Sequence, residues 1–268
     1  QPAEEKAPGG ARLMLEEDLF GQEEPDLMIA QHVYPVMYKG RVGFKGGKYM
    51  ASSDEIYITV KGKGGHAAMP HQTTDSVLIA SHILVALQQI VSRHAEASMP
   101  TVLSIGKVVA NGAVNVIPPE VSMEGTFRTM DEEWRREAHG RMINMAQSIA
   151  ESMGASCDFK IVEGYPVLYN DPGITAKSHE YAGNYLGEEN VEELDIRMTA
   201  EDFAFFAQKY PSVMYRLGVR KPGQALPLEL HTPQFDVDEE AIKTGMGTMA
   251  WLALCHLTGP SAPGTVRV

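Results

Sequence analysis

Cysteine is nearly absent. The 268 residues contain two, Cys157 in an alternating strand-like run and Cys255 in a terminal apolar helix. Two isolated thiols make neither a disulfide framework nor a cysteine zinc cluster, and they point to a reducing, cytoplasmic setting. Positive charge is also in deficit. Lysine and arginine number 23 against 35 aspartates and glutamates, a formal net charge of −12, which argues against nucleic-acid or anionic-membrane partners because both need a basic face. No apolar run approaches the roughly 20 residues that cross a bilayer, and the N-terminus lacks the basic-then-apolar order of a signal peptide. The chain reads as soluble. What remains is ordinary globular material: 44% hydrophobic and 22% charged residues exclude disorder as the main state, and the length suffices for two moderate domains.

Periodicity divides the chain into three stretches. A short helix is expected within residues 9–18 on Ala11, Leu13, Met14 and Leu15, followed by a buried strand over 27–33 that ends at His32-Val33-Tyr34-Pro35. Residues 40–47 are glycine-rich and basic, and Ser52-Ser53-Asp54 marks a break before the strand-forming run Ile56-Tyr57-Ile58-Thr59-Val60. From there the pattern predicts strand 55–62, helix 73–93, strands 101–109 and 121–129, helix 132–153 and strand 157–163. This βαββαβ order is the ferredoxin-like arrangement, with both helices on one face of a four-stranded antiparallel sheet. Val77, Ile79, Ala80, Ile83, Leu84 and Leu87, and likewise Met142, Ile143, Met145, Ala146 and Ile149, recur at helical spacing as one core stripe each.

Beyond Asn170-Asp171-Pro172 the pattern predicts helix 174–186, a short strand near 194–197, helix 200–208, strand 213–218 and helix 239–257. The fold class is therefore α/β, with residues 1–51 and 170–257 forming one domain interrupted by the ferredoxin-like insert 52–169. Residues 258–268, with two glycines and two prolines, are expected to be a disordered tail.

Few residues stand out for chemistry. Glu4 and Glu5 are adjacent, so one can bind a cation while the other faces substrate as a base, although such a pair is also an ordinary solvated surface. His32 reads either as a satisfied core histidine or as a ligand, and His231 before Thr232-Pro233 opens a loop into a helix. The sharper signal is the glycine-flanked loop Gly62-Lys63-Gly64-Gly65-His66-Ala67-Ala68-Met69-Pro70, whose small residues let backbone and imidazole approach a ligand closely. A second loop, Asn111-Gly112-Ala113-Val114-Asn115-Val116-Ile117-Pro118, sets an amide before a proline-stiffened turn. Either loop is equally consistent with plain turn chemistry.

Taken in order, Gln-Pro-Ala-Glu-Glu at 1–5, His-Val-Tyr-Pro at 32–35, the 62–70 loop, Asn-Val-Ile-Pro at 115–118, Glu-Asp-Phe at 201–203 and His-Thr-Pro at 231–233 resemble a known family. It is the dinuclear-metal amidohydrolases of the hippurate hydrolase type (peptidase family M20). That family also holds aminoacylases, N-acetyldiaminopimelate deacetylase, auxin-conjugate hydrolases and, more distantly, carboxypeptidase G. The resemblance implies a metallopeptidase-type catalytic domain carrying a lid and dimerisation insert. It implies that Glu4 is the general base, taking a proton from the attacking water and returning it to the leaving amine. Glu5, His32 and His231 resemble the family's metal ligands. His66 resembles the lid histidine that reaches the partner subunit's site in a homodimer and polarises the amide carbonyl. Asn115 resembles the lid asparagine of the substrate pocket, and Arg128 an arginine that grips the substrate carboxylate. Glu201 and Asp202 are assigned structural support only.

One departure accompanies the match. The family's Cys-Gly-His-Asp motif, expected upstream of the glutamate pair, is not in these 268 residues, and the chain opens at Gln1; an upstream segment and an incomplete catalytic domain are expected. The implied activity is hydrolysis of the amide of an N-acyl amino acid or similar small or peptide-like conjugate. It would use two divalent ions, zinc or manganese first and cobalt or nickel also compatible with mixed oxygen and imidazole donors. The alternative is a catalytically incomplete module that dimerises or binds a ligand. A metal-storage or scaffolding role has little support, because the histidines are not clustered.

Overall fold

The computed structural model describes Glu4, residues 8–224 and residues 229–259. The expected tail is outside the described residues from 260 onward. In chain order the elements are α1 (Gly10–Glu16), β1 (Met28–Tyr38), β2 (Val42–Phe44), β3 (Gly47–Met50), β4 (Asp54–Lys61), β5 (Gly65–His66), α2 (Ser76–Leu87), β6 (Thr101–Val109), β7 (Val116–Ile117), β8 (Glu120–Thr129), α3 (Glu132–Ser152), β9 (Ser156–Glu163), β10 (Leu168–Asn170), α4 (Pro172–Leu186), β11 (Val191–Glu193), α5 (Ala204–Lys209), β12 (Ser212–Arg220) and α6 (Glu240–Thr258). The chain is α/β.

One sheet has the order β6-β8-β4-β9 with antiparallel pairing throughout. With α2 and α3 between its strands, this is the ferredoxin-like topology. β4 shows why one face is covered: Ile56, Ile58 and Val60 point inward and Glu55, Tyr57 and Lys61 outward, the period-2 pattern of a half-buried strand. The inward set joins Ile79, Ile83 and Leu87 of α2 and Ala138, Met142 and Ala146 of α3 in one apolar cluster. Both helices start at an aspartate cap. Asp75 accepts from the Val77 and Leu78 amides, and Asp131 from those of Glu133 and Trp134.

The expectation that no apolar run approaches bilayer length does not hold for one stretch. Residues Ser76–His94 are long and apolar enough, by length and composition, to cross a membrane. Their apolar side is spent on this cluster, since Ile79, Ala80, Ile83, Leu87 and Ile90 are all buried. Val77, Leu78 and Val85 of the same stretch are exposed.

The second large sheet has the order β1-β12-β2-β11. β12 lies parallel to β1 and is buried at every residue from Ser212 to Val219, as a strand covered on both faces must be. Val213, Tyr215 and Leu217 face a cluster with Tyr181, Ala241 and Leu252 of α4 and α6. Met214 faces the opposite cluster, with Ala11, Tyr49, Met50, Leu168, Phe203 and Phe206.

Element ends differ from expectation in three places. β1 runs on through Pro35 to Tyr38, so His32 lies inside a strand rather than at its end. Proline is tolerated because β1 is an edge strand whose pairing register shifts between Tyr34 and Tyr38. The strand expected near 194–197 is Val191–Glu193 instead, and Arg197 forms only an isolated bridge to Met50. The helix expected from 200 starts at Ala204, since Glu201 and Asp202 are held in a turn through the amides of Ala204 and Phe205.

The two sheets are joined where the chain leaves and re-enters the insert. Ser53 N–H donates to the Tyr165 carbonyl and Gly164 N–H to the Ser53 carbonyl, both at 2.9 Å. Beside them Asp54, fully buried, accepts from Nε and Nη2 of Arg135 at 3.0 and 2.5 Å, and it lies 2.7 Å from Nε2 of His139. Burial alone would raise the Asp54 pKa, but the hydrogen bonds from His139 and Arg135 and their charges outweigh it and hold it below the ordinary value.

Candidate active site

His32 and Arg216 are register partners on adjacent parallel strands, so both side chains leave the sheet on one face. Above that face opens a cavity of about 390 Å³, a size typical of small-molecule sites. Its walls come from segments far apart in sequence: Glu4, His32 and Tyr34 of β1, Met50 of β3, Arg197 and Glu201 on the loop before α5, Arg216 of β12, and the turn carrying His231.

The ring of His32 has a defined orientation. Nδ1 lies 2.7 Å from the Val33 carbonyl oxygen, which can only accept, so Nδ1 carries the proton and Nε2 presents its lone pair. Burial, and next the charge of Arg216, push its pKa down to about 4, and the imidazole is neutral at pH 7. Nε2 is 3.9 Å from Oε2 of Glu201, too far for a hydrogen bond and, with a neutral ring, no ion pair. Glu201 is 8% exposed. Its pKa is pushed up to about 7 by burial first, then by the carboxylates of Glu4 and Asp202, with Arg216 opposing.

The remaining expected residues divide into two groups. His231 reaches the cavity from a turn in which its φ is 62°, a left-handed conformation that non-glycine residues adopt sparingly. Glu4 lines the same cavity, and its carbonyl accepts a hydrogen bond from the Tyr165 hydroxyl. Glu5 lies outside the described residues. Among the described residues, no three His, Cys, Asp or Glu side chains converge closely enough to hold a metal ion.

His66 and Asn115 are brought together elsewhere. His66 pairs with Val116 across β5 and β7, and Ala67 N–H donates to the Asn115 carbonyl at 3.0 Å. A Cβ on Gly64 would meet the Ile117 carbonyl oxygen at 2.7 Å, so the glycine lets these two loops approach each other. Neither His66 nor Asn115 lines the cavity. Arg128, on β8, donates from Nη1 to the Met198 carbonyl at 3.3 Å and thereby touches the loop that carries Arg197 and Glu201.

The family model of peptidase family M20/M25/M40 matches residues 1–254. The chain belongs to this family. An N-acetyldiaminopimelate deacetylase of Enterococcus faecalis is 36% identical over 249 residues, 92% of this chain and 64% of the relative. The Bacillus subtilis enzyme of the same name is 34% identical over 251 residues, 93% and 65% respectively. Among solved structures, the YXEP protein of B. subtilis, a dinuclear metal-binding peptidase of the M20 family, matches at TM-score 0.78 and 31% identity. That match covers 97% of this chain and 64% of the other. The chain thus spans just under two thirds of the length of the curated relatives it matches.

Within an M20 family member, the cavity's donors suit a divalent cation in kind. His32 is kept neutral with its distal nitrogen tied to a carbonyl, an orientation common for metal-bound imidazoles. Glu201 faces it as a buried carboxyl whose pKa is raised by burial first and then by the carboxylates of Glu4 and Asp202. Three cavity residues went unselected in the sequence: Glu201, set aside as structural, and Arg197 and Arg216. Asp202, by contrast, is structural, accepting from the Ala11 amide at 2.8 Å. A signal for Arg216 was present, since a charged residue inside an otherwise apolar strand must be buried for a reason.

Proposed function

We propose that this chain carries the base, part of the metal site and the lid of an amidohydrolase that cleaves the amide of an N-acyl amino acid or similar small conjugate. The observation that carries the reading is the single cavity gathering Glu4, His32, Glu201 and His231 from segments up to 227 positions apart (231 − 4). Support comes also from the relatives' name, N-acetyldiaminopimelate deacetylase, which states removal of an acyl group from an amino acid.

In this reading Glu5, His32 and His231 would be this chain's share of the ligands for the two divalent ions of the intact enzyme, zinc or manganese first. When bound, the ions supply Lewis acidity toward the amide carbonyl and the attacking water. Glu4 takes the water's proton at its carboxylate and returns it to the leaving nitrogen. His32 stays neutral and serves through Nε2 because burial and Arg216 disfavour its cation. Residues 52–169 form the lid and dimerisation domain, and 1–51 with 170–257 the catalytic domain. His66 acts at the partner subunit's site in a homodimer, stabilising the developing oxyanion, while Asn115 and Arg128 hold the substrate and its carboxylate. The cytoplasmic setting drawn from the cysteine content belongs to the same proposal.

The test is metal content and turnover of the purified chain after loading with manganese or zinc and removal of free ions. Two tightly held ions with release of amino acid from N-acyl amino acids would support the hydrolase in this chain, whereas one weak ion or none without turnover would support the catalytically incomplete module. A metal-loaded chain that hydrolyses none of a panel of N-acyl amino acids would overturn the activity. Mixed dimers of His66→Ala and Glu4→Gln subunits test the lid assignment, since they should recover activity that neither variant has alone.

A further inference from the structure

The chain passes between its two parts twice, at residues 51–54 and 163–167, and the second crossing carries a tyrosine whose two ends serve different neighbours. At its backbone, Tyr165 is bound to the first crossing: its carbonyl accepts from Ser53 N–H at 2.9 Å and its amide donates to Ser53 Oγ at 3.3 Å. A Cβ on Gly164 would collide with the Ser53 carbonyl, so glycine is what lets the crossings lie this close. Helix α3 fastens both of them. Arg135 grips Asp54 of the first, and Glu132, paired with Arg135 Nη1 at 3.1 Å, accepts from Val167 N–H of the second at 2.8 Å. The position of Tyr165 is therefore set by the insert.

At its other end, the Tyr165 hydroxyl donates to the backbone carbonyl of Glu4. Its ring meets that of Phe205 edge-on, with the centroids 5.9 Å apart, and a Cβ on Gly9 would lie 2.8 Å from Cε1 of the tyrosine. Both neighbours lead to the site. Glu4 lines its cavity, and Phe205 N–H is bound to the Asp202 carbonyl in the turn that holds Glu201. The Glu4 carboxylate is near enough to Glu201 to help raise its pKa. Tyr165 itself lines a different groove, on the insert's open face, together with Arg128 and Gly164. One side chain thus spans from insert to site.

Packing against Gly9 and Phe205 needs only the ring, whereas the hydroxyl answers to Glu4. A base must stand within hydrogen-bond reach of the proton it takes, and a misplacement of about 1 Å costs about 10²-fold in rate. We infer that Tyr165 is a positioning residue for Glu4, and that through it the placement of the insert sets the placement of the base. This rests on reading Glu4 as the general base. Tyr165 bonds the Glu4 backbone, and its effect is exerted through that residue.

Tyr165→Phe removes the hydroxyl and keeps the ring. Hydrogen–deuterium exchange should show the peptide spanning residues 1–14 exchanging about fivefold faster in this variant, as expected for the loss of one neutral hydrogen bond, with β12 unchanged. Ser53→Ala, which alters the first crossing and leaves the hydroxyl in place, should speed the same peptide at least about twofold. Unchanged exchange in Tyr165→Phe would overturn the tie to Glu4, and unchanged exchange in Ser53→Ala would overturn its control by the insert. In a preparation that hydrolyses N-acyl amino acids, Tyr165→Phe should lower kcat about tenfold, with KM and metal content within about twofold of the unmodified chain. It should change the residual turnover of Glu4→Gln by less than about twofold. A fall carried by KM, or a further loss of about tenfold on top of Glu4→Gln, would overturn the positioning role. Faster exchange of residues 1–14 in a chain that hydrolyses nothing would keep the tie and remove Glu4 as a base.

Discussion

The sheet β6-β8-β4-β9 and the sheet β1-β12-β2-β11 solve different problems with similar residues. The first is built from one continuous stretch of chain, and β4 alternates buried and exposed side chains. The second is assembled from strands far apart in sequence, and β12 is buried from Ser212 to Val219. An alternating strand sends its polar residues to solvent, where they do little. A strand covered on both faces has nowhere to send Arg216, so that charge ends beside His32 and Glu201, and the cavity inherits it. Concentrated chemistry follows from having both faces of a sheet covered while segments from elsewhere in the chain meet above one of them.

The largest expected effect falls on the site-bearing sheet. In an active preparation Glu4→Gln should lower turnover by about 10²–10⁴-fold and leave metal content unchanged, whereas Glu5→Ala should lose metal. Turnover and metal analysis on both variants check this, and equal metal loss would end the separation of roles.

On the other sheet, Phe127→Ala should cost about 3–5 kcal/mol of stability, because the ring is fully buried and its removal leaves a cavity. Urea denaturation measures it. A loss under 1 kcal/mol, on the same scale, would show that the insert's core is less tightly packed than its burial implies.

Asp54 tests the junction by pH. Its pKa is lower folded than unfolded, so its contribution is fully present above the ordinary carboxylate value of 3.8 and is lost as pH falls through the folded pKa. Asp54→Asn should therefore destabilise the chain at pH 7 and flatten the fall in stability below about pH 4. Denaturation midpoints at several acidic pH values give the slope, and an unchanged slope would remove Asp54 as its source.

The smallest effect is expected on the insert's open face. Lys107 and Glu124 pair at 2.7 Å with both side chains well exposed. Lys107→Ala should change stability by no more than about 0.5 kcal/mol, and a larger loss in thermal unfolding would mean that this face is covered.

Much of the insert was legible in the sequence because its signals are local. Strand 101–109 and a helix starting at 132 were expected from windows of a few residues, the helix from the 3.6-residue spacing of Met142, Ile143, Met145, Ala146 and Ile149. The flanking region was harder. β2, β3 and β10 are three or four residues long and take their pairing from distant strands, so no local window holds their reason for being extended. His32 was found by its motif, yet its place inside β1 depends on an edge strand accepting Pro35. Glu201 was assigned only structural support together with Asp202, and its burial near His32 depends on the fold.

The sequence alone determined the family, through motifs in fixed order, and the ferredoxin-like insert, through periodicity. Tertiary structure decided which charges meet. The register that sets His32 beside Arg216, the bridge that anchors Arg197 over Tyr34 and the turn that aims His231 into the same cavity are all long-range pairings. Their electrostatic consequences depend on distance and burial, which exist only once the chain has folded.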